Sequence, residues 1–85
     1  MENRYEKVEK YRKELVGKRF RHFKGDLYEV TGIVPKRGTC DIIVIYHKVG
    51  DNKLWWLRPL NEFMSPVDKE RYPDIKQKLQ FEEVK

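Results

Sequence analysis

The sequence predicts a mainly β protein: a small barrel of about five strands with an N-terminal α-helix. Three observations predict it. Apolar residues recur at helical spacing only before Gly17. Beyond it the chain breaks into short runs rich in β-branched and aromatic residues, punctuated by Gly25, Gly38 and Gly50. One of those runs, DIIVIYH, is apolar at nearly every position, as a strand inside a sheet would be.

Residues 1–17 form the predicted amphipathic helix. Tyr5, Val8, Arg12 and Leu15 fall at alternating steps of three and four, with Tyr11 and Val16 flanking that stripe. Asn3 is a candidate N-cap with Glu6 three residues on, and Gly17 is a natural stop. Glu6–Lys10 and Glu9–Lys13 are i,i+4 pairs on the polar face. The stripe is narrow, so the helix packs on its own barrel or pairs with a second copy. The first is the expectation.

Residues 18–85 form the predicted β domain. Lys18 to Lys24 is one strand, and Lys24–Gly25–Asp26 is a tight turn in which glycine supplies positive φ. Leu27 to Val34 follows. Strict alternation would put Tyr28, Val30 and Gly32 on one face and Leu27, Glu29, Thr31 and Ile33 on the other. Pro35 to Thr39 is a loop, Asp41 to His47 a central buried strand, and Gly50–Asp51–Asn52 a turn into KLWWLR, which Pro59 ends. Past Phe63 the chain is irregular, with Pro66, Pro73 and one helical turn expected at Asp74 to Lys78. QFEEV supplies a fifth strand. A four-strand meander plus a terminal strand at this spacing is the pattern of an SH3-like barrel.

At 85 residues the chain is one domain, and eleven aromatic residues supply its core. No apolar run approaches the ~20 residues that span a bilayer, and the N-terminus has no apolar signal region. With Cys40 as the one cysteine, no internal disulfide forms, so a cytoplasmic protein is expected. A net charge of +5 favours anionic partners, small molecules or nucleic acid, although 14 acidic residues are mixed among the 19 basic ones.

Enzyme chemistry is not expected. His22 and His47 stand apart from any metal-ligand cluster, no phosphate-cradling glycine pattern is present, and nothing marks Cys40 as a thiolate. No cofactor is implied. Binding chemistry has more support. In WWLRP, Trp56 and Arg58 stand two apart on one strand face, an indole beside a guanidinium. Neighbouring strand residues point opposite ways, so only one of Trp55 and Trp56 is on the core side. His22, Lys24, Tyr28, Glu29 and Tyr46 complete a candidate ligand site, with internal packing, or an Arg58–Glu29 pair, as the plainer alternative. Arg19, Arg21, Lys36 and Arg37 are candidate contacts to an anion or to nucleic acid.

From Gly17 to Phe81 the chain resembles a small, uncharacterised bacterial and phage domain family. Its pattern runs G-K-x-Y/F-x-H-F-K-G-x-x-Y-E-V-x-G-I, then V-x-Y, then W-x-R-P-L-x-x-F. The matching residues are GKRFRHFKGDLYEVTGI, VIY and WLRPLNEF, and RYPDIKQKLQFE resembles the family's ending. The resemblance singles out His22, Phe23, Lys24, Gly25, Tyr28, Glu29, Tyr46, Trp56, Arg58, Pro59 and Phe63. Where many members carry an S-E-T-G-E-like loop, this chain has PKRGTCD, and a basic loop implies a more anionic ligand. The expected function is a non-catalytic module binding an anionic, nucleotide-like ligand, with sequestration of a nucleotide signal as one use. Nucleic-acid binding through a basic face is one alternative. A protein-interaction module, or a homodimer joined by the helix or an edge strand, is the other.

Overall fold

The computed structural model describes residues 4–84. It holds α1 (Arg4–Leu15), β1 (Arg19–His22), β2 (Leu27–Pro35), β3 (Ile42–Lys48), β4 (Asp51–Pro59), α2 (Leu60–Phe63) and β5 (Phe81–Val84). The expected cap Asn3 lies outside the described residues. Strands β1 to β4 form an antiparallel meander, and β5 returns to the free side of β1. One sheet results, in the order β4-β3-β2-β1-β5. Gly17 (φ 83°) ends α1 and Gly25 (φ 113°) turns β1 into β2, both in backbone that disfavours a side chain.

Strict alternation fails in β2. Val30 and Ile33, expected on opposite faces, are both 1% exposed. The register slips between Val30 and Gly32, which leaves Thr31 as an extra residue. That bulge returns Ile33 to the core side and bends the strand.

The inner face carries Phe20, Val30, Ile33, Val44, Tyr46 and Phe81, joined by Leu60 and Phe63 from α2. Edge-to-face pairs link Phe20 to Phe63 (5.4 Å) and Tyr46 to Phe81 (5.5 Å), and Phe63 stacks on Phe81 at 4.3 Å. α1 packs on this domain through Val8 and Leu15. Past Val30, which exchanges hydrogen bonds with Gly17 and Lys18, β2 has no β1 partner. There Arg12 Nε donates to the Ile33 carbonyl at 3.0 Å, and Arg4 Nη2 donates to the carbonyls of Lys36 and Asp41. The helix thus occupies a strand's place along the upper half of β2. Tyr5, expected in the packed stripe, is 73% exposed.

The sheet curls until its end strands meet through side chains. The Arg58 guanidinium carbon of β4 lies 5.3 Å from the ring centre of Phe81 in β5, and Arg58 Nη1 donates to Gln80 Oε1 at 3.2 Å. No ladder joins β4 to β5 among the described residues. β3 is internal, yet Ile43 and Ile45 on its outer face are only half-buried. Asp74 to Lys78 holds a turn and no helix, whereas α2 forms directly after Pro59. As the edge strand, β4 leaves both Trp55 (54%) and Trp56 (48%) exposed, so neither is a core residue.

Candidate functional site

At the seam between β4 and β5 the chain forms a cleft of about 310 Å³, lined by His22, Phe23, Lys24, Arg58, Asp68, Arg71, Tyr72 and Gln80. Four separate parts of the fold build it. β1 and its turn contribute His22 to Lys24, β4 contributes Arg58, the loop after α2 contributes Asp68, Arg71 and Tyr72, and the residue just before β5 contributes Gln80. That loop is ordered by side chains. Asp68 Oδ1 accepts the backbone N–H groups of Glu70 (3.0 Å) and Arg71 (3.4 Å). Gln77 Nε2 donates to the carbonyls of Arg21 and Leu79, both at 2.8 Å. This brace ties the loop to β1.

Three rings and three cations meet here. His22 lies 4.5 Å from Phe23, and Phe23 lies 5.0 Å from Tyr72. Lys24 Nζ is 5.9 Å from the centres of both Phe23 and Tyr72, and the Arg71 guanidinium is 5.6 Å from Tyr72. These cations face ring π-clouds, an attraction that holds long side chains at the cleft wall.

The backbone N–H of Lys24 donates to Nδ1 of His22 at 3.1 Å, which places the neutral imidazole's proton on Nε2. Burial first, then Arg58 and Lys24, hold the His22 pKa below its ordinary value, with Asp26 opposing them. The unfolded chain therefore binds this proton more tightly than the folded one. Stability present at neutral pH is lost as pH falls from about 6.5 through the folded pKa. The thermal midpoint should drop more in the wild type than in His22→Gln on acidification from about pH 7 to about pH 5. Parallel curves for the two proteins would show that His22 is not the source.

The structure divides the sequence-predicted site. His22, Lys24 and Arg58 share the cleft. Tyr28 and Tyr46 form an aromatic wall behind it: their rings lie 5.4 Å apart, and Tyr28 and Tyr46 lie 5.8 and 5.5 Å from Phe81. Tyr46 is 5% exposed, a packing residue. Burial also raises the Tyr28 pKa, with Asp26 and Tyr46 adding to it. Trp56 pairs with Tyr46 in register, so it stands on the inner face beside Arg58, outside the cleft lining.

Glu29 is on the outer face, opposite His47, and accepts from Arg19 at 3.4 Å. It neither joins the cleft nor pairs with Arg58. Glu29→Gln should leave ligand affinity unchanged and shift stability by no more than about 0.5 kcal/mol. Calorimetry and a thermal melt check both.

The basic contacts do not form one patch. Arg21 donates to the Gly25 carbonyl at 3.0 Å, and Lys36 and Arg37 lie beyond the far end of β2, roughly 20 Å along the strand from Glu29. Arg71, Tyr72, Asp68 and Gln80 were not foreseen as site residues. The Arg71–Tyr72 pair, a cation beside a ring just before Pro73, is the same kind of signal as WWLRP and was the one available.

These features define a small curled β-sheet domain with a basic, ring-lined cleft at its seam. The chain belongs to the family described as protein of unknown function, DUF1653, which it matches over residues 18–83. No curated protein and no solved structure matches it.

Proposed function

We propose that this protein is a non-catalytic binding module for an anionic, nucleotide-like small ligand. The observation that carries this reading is the convergence of Lys24, Arg58 and Arg71 on one cleft that holds a single carboxylate, Asp68. Three positive groups against one negative group leave the cleft at +2, and Asp68 Oδ1 is already occupied by backbone N–H groups. A phosphate would find two guanidinium forks and an ammonium there, with charge-assisted bonds about twice as strong as neutral ones. Phe23 and Tyr72 in the cleft are already faced by cations. The ligand's ring therefore falls to Trp56, half-exposed on the same sheet face and about 7 Å along β4 from Arg58.

The size favours a mononucleotide. About 310 Å³ is at the bottom of the ~300–1,000 Å³ range of small-molecule sites. In a bacterial or phage setting such a domain would work in the cytoplasm by sequestering a nucleotide signal. No helix among the described residues is long and apolar enough to cross a membrane.

Calorimetric titration with nucleoside monophosphates, diphosphates and cyclic dinucleotides tests the reading. Micromolar binding of a mononucleotide, tighter than that of any dinucleotide, is the expected result. Heat-silent titrations across the whole panel would remove the reading.

A further inference from the structure

Residues of α1, β1, α2 and β5 enclose a groove of about 470 Å³ that shares no lining residue with the seam cleft. Phe20, Phe63 and Phe81 form its floor. Met64 and Leu79, 44 and 37% exposed, stand in its walls. Its charge is opposite to that of the cleft. Glu14, Glu82 and Glu83 line it against one cation, Lys18, so three negative groups against one positive leave it at −2. The chain as a whole carries +5.

Glu83 is the residue out of pattern. β5 pairs with β1 so that Phe81 opposes His22 and Glu83 opposes Phe20. Opposed residues share a face of the sheet. Glu83 therefore stands on the inner side beside Phe20, where alternation after Phe81 calls for another apolar residue. Phe81 on that side is buried, whereas Glu83 is exposed. No ion pair engages Glu14, Lys18 or Glu83 among the described residues. Glu82 is partly committed, since its Oε2 accepts the backbone N–H groups of Lys78 (3.0 Å) and Leu79 (3.2 Å). Two carboxylates from separate elements, Glu14 of α1 and Glu83 of β5, are open to a ligand.

We infer that this groove binds a small organic ammonium ion whose apolar body rests against the three rings. A neutral apolar ligand would strip water from the carboxylates without replacing it, and an anion would meet repulsion. A cationic end at the rim replaces that water with charge-assisted hydrogen bonds. The positive charge of the whole chain does not oppose this, because charges farther than about 8 Å are screened at physiological salt. The size points to a small molecule. About 470 Å³ lies within the ~300–1,000 Å³ of such sites. A protein partner takes roughly 20–30 residues a side, more than line this groove.

Amide chemical-shift titration with phenethylamine tests it, alongside phenylethanol, phenylacetate and methylamine. Phenethylamine should shift the amides of Phe20, Met64, Leu79 and Glu83 saturably, with a Kd of about a millimolar. Phenylethanol lacks the charge and methylamine lacks the ring, so each should bind about tenfold more weakly or worse. Glu14→Gln and Glu83→Gln, both at exposed sites, should each weaken phenethylamine about two- to fivefold and leave the thermal melt in place. An inward charge also keeps an edge strand from pairing. Were that the whole role of Glu83, both variants would bind the amine as the wild type does. That result, no saturable shift at the groove, or an alcohol or acid that binds as tightly as the amine would each overturn the inference.

Discussion

Phe81→Ala is expected to cost about 3–5 kcal/mol of folding stability, a large share of the ~5–15 kcal/mol that holds a typical domain together. Phe81 is 3% exposed. Its ring stacks on Phe63 at 4.3 Å, meets Tyr46 at 5.5 Å and His22 at 4.9 Å, and carries the Arg58 guanidinium on its face. Four elements converge on this one side chain. Truncation leaves a void between rings that cannot all collapse into it, because α2, β1, β3 and β4 are each held by their own hydrogen bonds. Denaturant unfolding measures the loss. Phe81→Leu, which keeps most of the volume, should cost clearly less, and Tyr5→Ala, at a residue 73% exposed, should stay within about 0.5 kcal/mol. A Phe81→Ala cost below about 1.5 kcal/mol would mean that the seam is not the keystone of the core.

The second large effect separates binding from folding. Arg71 is exposed, and its side chain leans on Tyr72 in the cleft wall. Arg71→Ala should leave the melt nearly unchanged and weaken nucleotide binding about 10- to 100-fold, the loss of one charge-assisted hydrogen bond of ~1.5–3 kcal/mol. Arg58→Ala should lower both affinity and stability, because the guanidinium that the proposed site offers to a phosphate also covers Phe81 and donates to Gln80. Arg58→Lys keeps the charge and loses the fork, so it should recover only part of the affinity. Calorimetry and thermal melts on all three variants give the answer. If Arg58→Ala moves the melt and leaves nucleotide affinity where it was, Arg58 is a structural residue and the cleft is not the site.

The elements themselves were legible because their signals are local. Helical spacing from Val8 to Leu15, a glycine in each connection between successive strands, and Pro59 after KLWWLR mark α1 and the four meander strands without reference to any neighbour. Two elements escaped. α2 is a single turn, too short for a 3.6-residue period to register. The bulge at Thr31 lies in a run whose alternation looks regular, and only the mismatch of β2 against β3 makes an extra residue there.

The candidate site was half legible. His22, Lys24 and Arg58 stand out as polar groups that a hairpin does not need, and the fold brings them together. Glu29 belonged to the same list and landed on the opposite face, since its parity along β2 differs from that of Tyr28. Arg71 and Tyr72 come from an irregular loop that carries no periodicity to follow.

The chain's own chemistry settles which stretches extend, which coil and where they turn, for those choices depend on neighbours within a few residues. Which strand becomes the edge, which arginine reaches Phe81 and which loop closes over His22 were decided only in three dimensions. They depend on groups dozens of residues apart meeting across a curled sheet, and the energy of that meeting is spread over packing that no short segment contains.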